Sequence, residues 1–279
     1  MDIRHTEGSF ETSDGLMLFE QTWRPGSEAK AAVAIVHGYA EHSGRYAHVA
    51  EHFVRSGYAV HAYDLRGHGR SDGPKGLIRS MEALVDDTGA FLNRASESEP
   101  GMPLFLLGHS TGGGIAALLA IDGRLAVKGM VLTGALVRLA DDVPAPLQWT
   151  AAILGALAPR MPVKGLDSAV ISRDPEVVAA YDNDPLVYRG RTMARTAAEI
   201  MGACKRIQAR MEAVTPPILI MHGAADALID PEGSVQLHAR ASSDDKTLKL
   251  YDGAYHEIMN EPERAQVLAD IEEWMDARV

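Results

Sequence analysis

The sequence predicts an α/β fold with a mostly parallel central sheet and helices on both faces, and three observations carry that prediction. Short apolar runs alternate with helical stretches along most of the 279 residues. Most of those runs are continuously apolar, as strands buried on both faces should be. One of them, Pro103-Leu104-Phe105-Leu106-Leu107, leads through Gly108-His109-Ser110-Thr111-Gly112 into Gly113-Gly114-Ile115-Ala116-Ala117-Leu118-Leu119-Ala120, a strand, tight turn and helix with a serine on the turn.

Taken in order, residues 8–24 read as a hairpin about Asp14-Gly15, a favoured turn pair. Strands follow at Ala31–Val36, ending in His37-Gly38, and at Tyr58–Tyr63, ending at Asp64. The run 103–107 is next, then Val127–Thr133, Ile218–Met221 and Thr247–Tyr251. Helical stretches lie at 46–56, 80–98, 113–122, 233–241 and 262–278; in the last, Val267, Leu268, Ile271, Trp274 and Met275 form a stripe at helical spacing. The connection from Thr133 to Ile218 is far longer than a crossover needs, so it holds an insertion placed to cover a site. The expected organisation is a core of 1–136 and 206–279 with a helical cap over 137–205. Within the cap, Val143 to Pro159 carries no charged residue, is broken by Pro144, Pro146 and Gly155, and is too short to span a bilayer. It is either a helix packed on the core or an apolar lid that meets lipid or lines an acyl pocket.

Composition narrows the function. Apolar content of 46% is ordinary for a globular chain, and a net charge of −11 disfavours nucleic acid and a polybasic lipid anchor. Cys204 is the single cysteine, so no intrachain disulfide forms, which fits a reducing, cytoplasmic setting. The start, Met1-Asp2-Ile3-Arg4-His5-Thr6, has no apolar segment of a secretory signal, and no window predicts a transmembrane helix.

A serine hydroxyl needs a base to take its proton, and the base needs a partner to fix its tautomer and stabilise its cation. On strand–turn–helix serines of this type the chain order is serine, acid, histidine. Ser110 is the candidate nucleophile. His256, just after the last predicted strand, is the candidate base. Asp226, four residues beyond Ile218–Met221, is the leading acid, with Asp230 in the same loop as its competitor. His222 precedes the acid and reads as structural, as does Asp64 beside the turn Arg66-Gly67-His68-Gly69-Arg70-Ser71. The backbone N–H groups of Thr111 and Tyr39 are the candidate oxyanion donors. His48 and His52 have helical metal-pair spacing, but the H-E-x-x-H order is absent and a solvated helix face explains them. Neither a dinucleotide fingerprint after the first strand nor a P-loop is present, and Cys204 reads as a buried filler. No metal or cofactor is implied.

With these residues placed, the chain resembles the α/β-hydrolases and, more narrowly, the monoacylglycerol lipases. The segments that carry the resemblance are His37 through Tyr46 (H-G-Y-A-E-H-S-G-R-Y), Gly67-His68-Gly69-Arg70-Ser71, Ser172-Arg173-Asp174-Pro175-Glu176 through Tyr181-Asp182-Asn183-Asp184-Pro185-Leu186, and Tyr255-His256-Glu257 with Asn260-Glu261-Pro262-Glu263-Arg264. The resemblance implies cleavage of one acyl chain from glycerol, an apolar tunnel under a cap that contacts membrane peripherally, and a glycerol end formed by Glu41, Arg45, His109 and Tyr181. It departs from the family at Thr111, where Met is usual, and at Tyr39, where a small residue is common. Both changes point toward shorter acyl chains or other monoesters. The alternative is a broader carboxylesterase acting on lysophospholipids, aromatic monoesters or other short to medium esters. An exposed apolar cap would face either lipid or a second subunit in a homodimer.

Overall fold

Eight strands form the central sheet of the computed structural model, which describes residues 2–140 and 153–279. They are β1 Ile3–Glu11, β2 Met17–Pro25, β3 Ala31–Val36, β4 Tyr58–Tyr63, β5 Leu104–His109, β6 Gly129–Thr133, β9 Ile218–Gly223 and β10 Lys246–Tyr251, in spatial order β1-β2-β4-β3-β5-β6-β9-β10. β1 and β2 are antiparallel to their neighbours; every other pairing within this sheet is parallel. The hairpin reaches further at both ends than the predicted 8–24. β1 is an edge strand whose side chains are mostly exposed, so it lacks the apolar run that marks the others.

The parallel strands sort their side chains to two faces by simple alternation. Ala32, Ala34, Val36, Leu104 and Leu106 pack on one side with helices α2 (Met81–Ser98) and α3 (Thr111–Ile121). Ala31, Val33, Ile35, Phe105 and Leu107 pack on the other with α1 (Ala47–Arg55) and the C-terminal helix Arg264–Asp276. Fully buried side chains such as Leu106 and Leu107 each contribute ~1.5–3 kcal/mol relative to exposure. The middle of the sheet is therefore the rigid part of the molecule, and the candidate residues sit at its carboxyl edge. Every residue of α3 is buried, which is why its sequence is apolar all round.

The long connection between β6 and β9 contains a two-stranded antiparallel ribbon, β7 (Pro162–Lys164) with β8 (Thr192–Met193), and helices Pro175–Asn183 and Ala194–Ala209. Ala194–Ala209 runs through the expected cap boundary at 205/206. Ala203 and Ile207 in its second half join the main core against α3, so the helix belongs to both layers. Of the apolar stretch 143–159, residues 143–152 lie outside the described residues, and 153–157 are helical. Exposed large apolar side chains gather in this connection: Ile153, Leu157, Met161, Leu166 and Leu186. Among the described residues, no helix is long and apolar enough to cross a membrane.

Candidate active site

The serine turn has the strain its sequence implies. Ser110 sits at φ 51°, ψ −116° between β5 and α3, a region that non-glycine residues rarely enter. The turn is held from three sides. Ser110 N–H donates to the Thr133 carbonyl (3.0 Å), and its own carbonyl accepts from Gly114 N–H (3.0 Å) and Leu136 N–H (2.9 Å). A Cβ at Gly112 would lie 2.1 Å from the Val36 carbonyl oxygen, so glycine there lets α3 begin against the end of β3. Thr111 N–H and Tyr39 N–H, at the ends of these two strands, have no hydrogen-bond partner among the described residues, and both residues line the cavity that Ser110 borders.

The acid and histidine loops are packed together. Ala225 N–H donates to the Ala254 carbonyl (3.0 Å), and a Cβ at Gly223 would lie 2.1 Å from the Tyr255 carbonyl oxygen. Asp226 is thereby placed with Oδ2 2.6 Å from His256 Nδ1 and 3.0 Å from His222 Nε2. Its Oδ1 accepts from Leu228 N–H (2.8 Å) and Ile229 N–H (3.0 Å). Burial works against this carboxylate, but His256 and His222 outweigh it and hold its pKa well below the ordinary range. His256 is likewise penalised by burial, yet Asp226 raises its pKa, with further support from Glu257 and Glu41. Nδ1 is its one side-chain hydrogen bond among the described residues, which leaves Nε2 for the cavity. Ser110 is not hydrogen-bonded to it in this structure, a contact that is often long in unliganded sites.

The competing residues are otherwise engaged. Asp230 caps the helix Pro231–Arg240, accepting from Glu232 N–H (2.9 Å), and pairs with Arg138 (3.0 Å). His222 is structural, as expected, but its role is specific: it grips the acid and also contacts Ser234 Oγ (2.7 Å). Asp64 accepts from Ser43 N–H (2.7 Å) and Arg70 N–H (2.7 Å), a turn partner as read. His48 contacts the Met259 carbonyl (3.0 Å) and His52 pairs with Glu272 (2.8 Å); no metal-ligand cluster occurs among the described residues. Cys204 is buried beside Leu136 and Ile229, and burial pushes its thiol up to about 12.

One cavity of about 390 Å³ collects these groups. Its larger part is lined by aliphatic side chains, among them Leu136, Leu154, Ile200, Met201, Leu228 and Ile229. Its polar part is lined by Glu41, His109, Tyr181 and Glu257. Glu41 accepts from Gly38 N–H (2.7 Å) and Tyr46 O–H (2.8 Å) on Oε1, and from Arg45 (2.8 Å) on Oε2. Arg45 forks onto Glu257 through two bonds of 2.7 Å and lies over the Tyr181 ring, 4.8 Å from its centroid. Arg45 thus joins Glu41, Tyr181 and Glu257 at the polar end that the resemblance implied, but is not itself among the residues lining this cavity. His109 packs 4.8 Å from the His256 ring and bonds Thr133 through Nδ1; burial first, then His256, lowers its pKa to about 4, so it is neutral. Sequence reasoning missed Glu257 and the aliphatic walls from the insertion and the Asp226 loop. The only local signals were a carboxylate next to the candidate base and the apolar run Ala227-Leu228-Ile229.

A strained serine between strand and helix, an acid and a histidine after the last two strands, and a mostly parallel sheet define a serine hydrolase of the α/β-hydrolase fold. Comparison with known proteins narrows the class. The family described as "Serine aminopeptidase, S33" matches residues 27–263. The monoacylglycerol lipase of Mycolicibacterium smegmatis is 41% identical over 270 residues, covering 97% of this chain and 96% of that protein. The human monoglyceride lipase is 35% identical, with 95% and 89% covered. A soluble variant of the Saccharomyces cerevisiae monoglyceride lipase, solved with a substrate analog, superposes with a TM-score of 0.87 at 26% identity, over 98% of this chain and 95% of that one. The chain belongs to the monoacylglycerol lipase family, a group of carboxylic ester hydrolases.

Proposed function

We propose that this chain hydrolyses monoacylglycerol to fatty acid and glycerol through an acyl-enzyme on Ser110. The observation that carries the reading is that one cavity of about 390 Å³ is lined by Ser110 and His256, by a majority of aliphatic side chains and by the polar groups of Glu41, His109, Tyr181 and Glu257. The acyl chain fills the aliphatic part and the glycerol hydroxyls meet Glu41, His109, Tyr181 and Glu257. His256 Nε2 takes the Ser110 proton as Oγ attacks the ester carbonyl, and Asp226 stabilises the imidazolium. Thr111 N–H and Tyr39 N–H receive the oxyanion, which suits two backbone donors left unpaired beside the nucleophile. His256 then returns the proton to the glycerol oxygen as the C–O bond breaks, and water repeats the sequence on the acyl-enzyme. Residues 137–205 act as the cap, with Arg45 holding the polar end from behind.

The exposed apolar residues of the cap support peripheral contact of a cytoplasmic enzyme with a lipid surface; pairing of two copies through the same face is the second use that surface allows. The test is fatty-acid release from 1-monoacylglycerol beside diacylglycerol, lysophospholipid and a soluble short-chain ester, with Ser110→Ala as control. Preference for monoacylglycerol is expected, with the Ser110→Ala rate at or below about a thousandth. Turnover of the soluble ester alone would retain the triad and remove the monoacylglycerol assignment.

A further inference from the structure

The polar end of the cavity carries a charge pattern that recognition of a neutral polyol does not by itself require. Two carboxylates, Glu41 and Glu257, line the cavity, both buried to within 5% of full burial. The guanidinium between them does not line it. Arg45 gives Nη1 to both carboxylates and Nη2 to Glu257, and the Tyr181 ring covers its face. Asn260 Nδ2 donates to Glu257 Oε2 (2.7 Å), and Glu257 N–H donates to the Ile171 carbonyl of the insertion (2.8 Å), so the residue is held by both its carboxylate and its backbone. Burial disfavours its charge, but Arg45 overcomes that and keeps Glu257 below its ordinary pKa. The trio carries one net negative charge, and a molecule in the cavity meets the carboxylates before the cation.

We propose that Glu257, acting with Glu41 over a sequestered Arg45, is a specificity-determining residue that excludes anionic leaving groups and restricts the enzyme to monoesters of uncharged alcohols. The inference rests on the proposed monoacylglycerol reading and sharpens it. Monoacyl lipids whose head carries a phosphate are rejected at the alcohol end, not at the acyl end. A like charge brought beside a buried carboxylate is opposed strongly because little water screens it. His109, neutral and bonded through Nδ1, brings no compensating cation to the wall.

The test compares kcat/KM for 1-monoacylglycerol and 1-acylglycerol 3-phosphate of the same chain length, and for the butyryl esters of glycerol and glycerol 3-phosphate, in wild type, Glu257→Gln and Glu41→Gln. The wild type is expected to favour the neutral member of each pair by about 100-fold, and each variant to narrow that ratio by about tenfold. A Glu257→Gln protein with a cooperative melt that loses the same factor on both members would assign the residue a merely structural role and overturn the proposal. Equal wild-type turnover of neutral and phosphorylated esters would overturn it without any variant, should both substitutions prevent folding. Because the butyryl pair needs no long-chain activity, failure of the monoacylglycerol reading would appear as inactive long-chain substrates with the butyryl ratio intact.

Discussion

Replacing Asp226 by Asn tests the acid assignment through its hydrogen bonds. The carboxylate accepts from four groups: His256 and His222 on one oxygen, Leu228 N–H and Ile229 N–H on the other. An amide has one acceptor and one donor end. In either orientation its NH₂ faces donors, and the less damaging choice keeps the oxygen on the two backbone N–H groups and turns NH₂ toward His256 Nδ1. The imidazole must then carry its proton on Nε2, where it cannot accept from Ser110. The charge loss adds to this. With charge centres about 4 Å apart, the attraction between Asp226 and an imidazolium is about 4 kcal/mol at an effective dielectric near 20, or about 10³ in rate. With the tautomer penalty the loss in kcat should reach about 10³–10⁴, its upper end matching the ~10⁴ of the same change in a serine protease triad. The assay is steady-state hydrolysis of a soluble short-chain ester, with a thermal melt to confirm folding. Asp230→Asn should stay within a few-fold of wild type and cost about 1 kcal/mol or less of stability through its helix cap. A loss below tenfold in Asp226→Asn, or a larger one in Asp230→Asn, would refute the assignment.

His256 must be neutral to accept the Ser110 proton, and its pKa is raised by Asp226, so kcat/KM on a neutral soluble ester should fall with decreasing pH at a midpoint above the ordinary 6.5. The same pair stabilises the fold with opposite signs: the raised His256 contributes fully below 6.5 and loses this as pH rises through its folded value, while the lowered Asp226 contributes fully above 3.8 and loses this as pH falls through its own. A kcat/KM midpoint below 6.5 would contradict the coupling. Replacing Ile153 and Leu157 together by Ser, at positions 55% and 81% exposed, should reduce hydrolysis of vesicle-borne monoacylglycerol by about tenfold or more and leave a soluble ester within a few-fold; equal losses on both would place these residues in folding instead.

The three candidate residues were legible because each has a local signature, and the fold converts chain order into place. Ser110 is marked by its glycines, while Asp226 and His256 are each the right residue type just past an apolar run. The parallel order then brings all three to one edge. What was not legible joins distant segments through side-chain direction. Arg45 and Glu257 are 212 residues apart, and nothing near either announces that one will fork onto the other. Read locally, Arg45 is a cation available to substrate; only the packed structure shows Nη1 and Nη2 donating to Glu41 and Glu257. The cavity wall contributed by the insertion was hidden for a related reason. Ala194, Ala197, Ile200 and Met201 line the cavity from a helix whose apolar stripe would look the same if it faced an ordinary core.

Backbone strain links the insertion to the candidate site. Among the described residues, two non-glycine residues have positive φ, Ser110 at 51° and Ala40 at 71°. Each such conformation costs on the order of 1–3 kcal/mol and persists only where surrounding contacts over-determine it. Ser110 is fixed by β6 and α3. Ala40 directly follows the candidate donor Tyr39, and its carbonyl accepts from Tyr188 N–H (2.8 Å), a residue of the insertion. The neighbouring His42 pairs with Asp184 (2.8 Å), also in the insertion, while Tyr39 O–H bonds the Gly76 carbonyl (2.9 Å). The strained loop that carries the candidate donor Tyr39 is therefore held partly by the insertion, which also lines the cavity. On the proposed reading, displacing that segment would remove a restraint on the candidate donor as well as a wall of the cavity, and so would couple the two.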